Sequence, residues 1–181
     1  MITVAILTVS DSAAAGAKQD LSGPALEERC KQRNWRVVAK RVVADDENAI
    51  AAALREWADD GTASLILTTG GTGVAPRDVT PEATRRVIDR EIAGIAELMR
   101  SEGRKQTKFS VLSRAIAGTR KESLIVNLPG SPRGAVYSLE TIEHLAPHVI
   151  GLLQGRSMHP VDEKLRTVTE THRVIDTSED V

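Results

Sequence analysis

The chain has 181 residues, with 24 lysines and arginines against 25 aspartates and glutamates, for a formal net charge of -1. That balance, with only 2% aromatic residues, argues against a nucleic-acid binder, which needs a basic face or a stacking platform. With 41% hydrophobic residues the chain can bury roughly 70% of its unfolded surface, which excludes wholesale disorder, and one cysteine, Cys30, excludes an internal disulfide or a Cys-rich zinc site.

Residues 2–9 (Ile-Thr-Val-Ala-Ile-Leu-Thr-Val) are apolar on both faces and predict a buried parallel strand. They carry no basic leader. No apolar run reaches the roughly 18 residues of a membrane span, so the expected compartment is the cytoplasm, with no membrane partner. A polar stretch from Asp11 to Gly23 is long enough for a functional loop. A helix follows from Pro24, with Leu26 and Cys30 inward and Ser22 or Gly23 as its cap. A second strand covers 36–43, and Asp45-Asp46-Glu47 opens a helix with Ile50, Leu54, Trp57 and Ala58 buried. A third strand, 64–69, runs into Gly70-Gly71-Thr72-Gly73. Thr80-Pro81-Glu82 then starts a helix capped by Thr80, whose apolar face runs on from Ala83 through Val87, Ile88, Ile92 and Ile95 to Met99. Val111 to Arg114 reads as a loop entering a short strand. A strand at 123–127 leads to a last helix from about Pro132, broken by Pro147. Alternating strands and helices predict an α/β fold, a three-layer, mostly parallel sheet with helices on both faces. The domain is expected over 1–156, with 157–181 as a polar tail.

In such sheets ligands bind at the carboxyl ends of the strands. Four special stretches fall there: Ser10-Asp11-Ser12, Asp45-Asp46, Thr69 to Gly73, and Asn127 to Pro132. The glycine loop is either a plain turn or a cradle of free N–H groups for phosphate. It is neither a Walker A loop, lacking Gly-Lys-Ser/Thr, nor a dinucleotide fingerprint, because Pro76 stands where the third glycine belongs. Asp78 and Asp45 are each a cap, a surface acid or a Mg²⁺ ligand. Ser131-Pro132 is a turn or an anion-holding helix start. Ser113-Arg114 is a surface pair or a phosphate grip. His144 and His148 have zinc-like spacing, but Pro147 intervenes and no third ligand is evident.

Taken together, Thr8 to Ser12, Asp20 to Pro24, Thr68 to Gly73, Arg77 to Ala83, Ser113-Arg114 and Asn127 to Pro132 resemble the molybdopterin adenylyltransferase family, the MogA and MoaB proteins and the G domain of gephyrin. The resemblance covers about residues 3–155. It implies the molybdopterin-binding fold, a homotrimer or hexamer, and adenylylation of molybdopterin by Mg-ATP with release of pyrophosphate, ahead of a molybdenum-insertion protein. It implies that Gly70, Gly71, Thr72 and Gly73 line the site and that Asp45 and Asp78 hold metal and serve catalysis. Ser113, Asn127, Pro129, Gly130 and Ser131 would border the pterin, and Ser10, Asp11, Asp20 and Ser22 the nucleotide. Where the family often has Pro-Asp-Asp this chain has Ala44-Asp45-Asp46, so the choice between Asp45 and Asp46 stays open. The insertion of the longer bacterial subtype is missing, which points to the short MoaB-like branch and to a weakly catalytic molybdopterin carrier as the alternative. The nucleotide-recycling domain of competence-damage proteins is a further relative, normally part of much longer chains.

Overall fold

The computed structural model describes residues 1–156; the expected tail, with His159 and His172, lies outside the described residues. Six strands form one sheet in the order β2-β1-β3-β6-β5-β4. β1 (Thr3–Val9), β2 (Arg36–Val43), β3 (Leu65–Thr69) and β6 (Ser123–Leu128) are parallel, while β5 (Ala117–Arg120) and β4 (Arg90–Glu91) run antiparallel at one edge. The helices are α1 (Asp11–Ala14), α2 (Ser22–Gln32), α3 (Glu47–Asp59), α4 (Thr80–Arg85), α5 (Ala93–Gly103), α6 (Pro132–Ile142) and α7 (Ala146–Leu153), with a 3₁₀ turn at Lys108–Leu112.

The period-2 rule divides the core into two layers. Val4, Ile6, Leu65, Leu67, Leu124, Val126 and Leu128 face α2, α5, α6 and α7. Ala5, Leu7, Val9, Ile66 and Ile125 face α3 and α4. Both faces of the central strands are covered, which is why these segments read as unbroken apolar runs.

Three expectations are corrected. The single helix from Thr80 to Met99 is two helices separated by β4, because Asp89 and Ile92 donate their N–H groups to Thr119 and Ala117 of β5 instead of to a helical turn. Thr80 is not a cap: it is the fully buried first residue of α4, and its hydroxyl donates elsewhere. The last helix ends at Ile142, ahead of the proline, and Pro147 lies in the first turn of α7, where a missing N–H costs nothing. His144 and His148 therefore fall on either side of a helix break.

Asp59, at the end of α3, accepts two bonds of 2.8 Å from Arg120 and lies 3.3 Å from Lys121 Nζ, tying the β5–β6 hairpin to the opposite layer. Arg120 first, and then Lys121, hold its carboxyl down at about 2. A depressed carboxyl contributes stability above its unfolded pKa of about 3.9 and loses it as pH falls through the folded value. Asp59→Asn is expected to flatten the fall of Tm between about pH 4 and pH 2 relative to wild type. Identical slopes in thermal scans would remove Asp59 from the acid transition.

Candidate functional site

Strand order reverses between β1 and β3, since β2 lies outside β1 and the chain then crosses back. A crevice opens at such a switch point, outside the carboxyl ends of the strands. Gly70 closes it: its N–H donates to Leu128 O, its φ is +106°, and its Cα approaches both neighbouring loops. A Cβ there would lie 2.2 Å from Val9 O, and one on Gly130 would lie 3.2 Å from Gly70 Cα. Glycine is the residue that allows both the positive φ and the close approach.

The loop from Gly70 to Gly73 is held by its carbonyls. Thr80 donates its hydroxyl to Gly70 O at 2.9 Å and its N–H to Gly71 O at 3.1 Å. Arg114 donates its N–H to Thr72 O at 2.9 Å and its Nε to Gly73 O at 2.6 Å. The rest of its guanidinium bonds Asp78 O and the Glu82 carboxylate. With the carbonyls tied down, the N–H groups of Gly71, Thr72 and Gly73 have no acceptor among the described residues. Successive unpaired amides are the arrangement that a phosphate cradle needs. Arg114 itself shapes the loop, through Nε to Gly73 O and through its two Nη groups to Glu82 and Asp78 O.

Two cavities meet at this loop. The larger, about 470 Å³, takes the Thr72-Gly73 side together with Ser113, Asn127, Pro129 and Ser131. Its far wall is apolar, from Val74, Ala96, Met99, Phe109, Leu112 and Tyr137, with Arg100 and Arg133 beside them. The smaller, about 350 Å³, takes Gly70, Gly71 and Gly130 with Ser10, Asp20, Ser22 and Asp45. Lys18 and Gln19 also line it, neither of them singled out by motif. The expected pterin-side and nucleotide-side residues thus separate into two chambers, except that Gly130 lies with the smaller and that Asp11, like Asp78, lines neither of them.

Several candidate side chains are already engaged. Asp20 accepts from Ser22 N at 3.0 Å, Gly23 N at 3.0 Å, Ser22 Oγ at 3.1 Å and Thr8 Oγ1 at 2.7 Å, so it is the capping group of α2 in place of Ser22 or Gly23. Asn127 is fully buried; its amide donates to Thr68 and Thr84 hydroxyls at 3.0 and 2.8 Å and accepts from Ile116 N at 3.3 Å. Ser131 caps α6 through Gly134 N, and Ser10 caps α1 through Ala13 N. Ser113 accepts from Ala115 N at 3.3 Å.

The acids differ. Asp46 caps α3, accepting from Ala49 N at 2.8 Å. Asp45 instead points at the glycine loop: its Oδ2 accepts from Asp11 N at 2.7 Å, and its Oδ1 lies 3.2 Å from the Cβ position of Gly71. Asp78 folds back at the other end of the loop, with Oδ2 accepting from Ala75 N at 2.8 Å and lying 2.7 Å from the Cβ position of Gly73. Each keeps an Oδ1 with no donor among the described residues. Asp11 takes the fork of Arg77 at 2.7–3.0 Å, which holds its carboxyl below the usual range. Among the described residues no three His, Cys, Asp or Glu side chains gather into a metal-holding group. Each half-engaged carboxylate could supply an oxygen to a cation that takes most of its ligands from phosphates and water, as Mg²⁺ does.

Residues 5–148 match the family described as "Probable molybdopterin binding domain". The chain belongs to this molybdopterin-binding family. Among its relatives, a molybdopterin adenylyltransferase of Helicobacter pylori J99 is 39% identical over 165 residues, covering 90% of this chain and 93% of that protein. The molybdenum cofactor synthesis protein cinnamon of Drosophila melanogaster is 37% identical over 173 residues, 94% of this chain but 27% of that longer protein. The structure of the molybdopterin biosynthesis enzyme MoaB from Thermus thermophilus superposes with a TM-score of 0.81 at 48% identity, covering 86% of this chain and 98% of that one. The mixed six-stranded sheet is thus the molybdopterin-binding fold, α/β in three layers. Among the described residues no helix is long and apolar enough to cross a membrane.

Proposed function

We propose that the protein is a molybdopterin adenylyltransferase of molybdenum cofactor biosynthesis. The observation that carries this reading is the pair of unlike cavities sharing one glycine loop. A reaction between two large substrates needs two seats whose reactive ends meet, and the loop amides lie where they would meet. The apolar chamber walled by Met99, Phe109 and Tyr137 suits a flat heterocycle, and the smaller chamber, with Ser10, Lys18 and Asp45 at its border, suits a nucleotide.

In the reaction the terminal phosphate oxygen of molybdopterin attacks the α-phosphorus of ATP. A new P–O bond forms, the bond to the bridging oxygen breaks, and pyrophosphate leaves with the electron pair. Positioning and charge neutralisation do most of the work in such a transfer. The N–H groups of Gly71, Thr72 and Gly73 bond phosphate oxygens, and Arg114 and Thr80 keep those amides aimed. Asp45 and Asp78 are the residues that would hold Mg²⁺, each having one carboxylate oxygen without a protein donor among the described residues. Magnesium bound there would neutralise charge on the triphosphate and the departing pyrophosphate. The same reading carries assembly as a homotrimer or hexamer, delivery of product to a molybdenum-insertion protein, and a cytoplasmic setting.

The test is pyrophosphate release from Mg-ATP with purified molybdopterin, beside the same mixture lacking molybdopterin. Release that requires molybdopterin is the expected result. Tight molybdopterin binding without release, by folded protein, would instead make the chain a MoaB-like carrier.

A further inference from the structure

We infer, on the adenylyltransferase reading above, that Arg77 is a positioning residue for the nucleotide side of the site, acting through Asp11 on Asp45. Arg77 belongs to the loop between Gly73 and α4, and its side chain crosses to the loop after β1. There Nε lies 3.0 Å from Asp11 Oδ2, and Nη2 lies 2.7 Å from each carboxylate oxygen. The carboxylate so fixed accepts the Asp45 N–H at 3.0 Å through Oδ1, while Asp45 Oδ2 accepts the Asp11 N–H at 2.7 Å. Asp45 is therefore gripped by one residue at both its backbone and its carboxylate. Its remaining oxygen is left beside Gly71. The chain of contacts joins the loops after β1, β2 and β3 beside the smaller cavity, which Asp45 lines.

Two physical points give Arg77 this role. A planar fork sets the rotation of a carboxylate, which a single ammonium does not. Arg77 also neutralises the Asp11 carboxylate on the side of the site where a triphosphate would arrive. Without it, Asp11 carries an uncompensated negative charge toward the nucleotide and is free to turn away from the Asp45 N–H. The pair is exposed, with 66% of the Arg77 side chain and 48% of the Asp11 side chain open to solvent. Exposed pairs contribute little to global stability, so its effect belongs to the site and not to the fold.

The test is calorimetric titration of Mg-ATP into the full chain with molybdopterin absent, so that no turnover occurs. Wild type is compared with Arg77→Ala, Arg77→Lys, Asp11→Ala and the Arg77→Ala/Asp11→Ala double variant. Each alanine variant is expected to weaken Mg-ATP binding about tenfold, with the double variant no weaker than Asp11→Ala alone, as for two residues acting in series. Arg77→Lys is expected to recover only part of the loss, and Tm to stay near wild type throughout. Losses that multiply to about a hundredfold would mean that Arg77 acts independently of Asp11, and would overturn the inference. So would wild-type affinity in Arg77→Ala, or complete recovery in Arg77→Lys. Wild type that does not bind Mg-ATP would overturn the nucleotide reading itself, and the inference with it.

Discussion

Asp45→Asn is expected to lower molybdopterin-dependent pyrophosphate release by about 100- to 1,000-fold, the usual loss when one preorganised charge is removed from a transfer site. Asp46→Ala, one residue on, is expected to leave turnover close to wild type and to reduce stability by about 1 kcal/mol, because its carboxylate caps α3. The asparagine isostere still accepts the Asp11 N–H, so the three loops stay joined and the loss reports the missing charge. Turnover within a few-fold of wild type in Asp45→Asn would remove Asp45 from the reaction. A large loss in Asp46→Ala at unchanged Tm would transfer the role to Asp46. The sequence left these two acids as an alignment question. The structure separates them physically, since one carboxylate turns into a helix N-terminus and the other toward a glycine.

Much of the fold was legible because the central strands are covered on both faces. Apart from Thr8, Thr68, Thr69 and Asn127, residues 4–9, 65–69 and 124–128 are apolar, and a run of that kind at strand length has few other readings. The stretch from Thr80 to Met99 was not legible. Val87, Ile88, Ile92 and Ile95 satisfy helical spacing, but a two-residue strand interrupts them because the edge of β5 offers free carbonyls. That offer comes from residues about 30 positions further along the chain. Tertiary hydrogen bonding overrode local pattern there.

The site divides in the same way. Loops at the strand ends could be located from the order of elements alone, and the glycine loop from its composition. What each polar side chain does there depends on partners distant in sequence. That Arg114 shapes the glycine loop shows only when the carbonyls of Thr72, Gly73 and Asp78 are seen around it. The capping role of Asp20 shows only when four protein donors are found on its oxygens. Arg77 lies inside a motif that stands out for its aspartate and threonine, yet its side chain helps to join the loops after β1, β2 and β3. Sequence spacing carries no signal for the apolar wall either, because Met99, Phe109 and Tyr137 come from three separate elements.

Gly70→Ala is expected to have the largest effect on stability. The native φ of +106° is one that an L side chain resists, at a cost of about 1–3 kcal/mol. Crowding adds about 1–3 kcal/mol, because the new methyl would stand 2.2 Å from Val9 O. The obstacle is backbone of a central strand, not the flexible end of a side chain, so relief requires β1 and β3 to separate at the switch point. Together the two terms reach about 4 kcal/mol, or a fall in Tm of about 12 °C for a domain of this size. The same shift would move Gly71 away from Asp45, so Mg-ATP binding should weaken even in protein kept below its new Tm. Gly94→Ala provides the contrast. Gly94 lies in the first turn of α5 with nothing within 4 Å of its Cβ position, and alanine there should stabilise by about 0.5 kcal/mol. If Gly70→Ala unfolded at the wild-type temperature and bound Mg-ATP normally, the close approach of the two loops would not be what holds the cavities together. The floor of the site would then have to be sought in the contact between Thr69 and Pro129 O, at 2.8 Å.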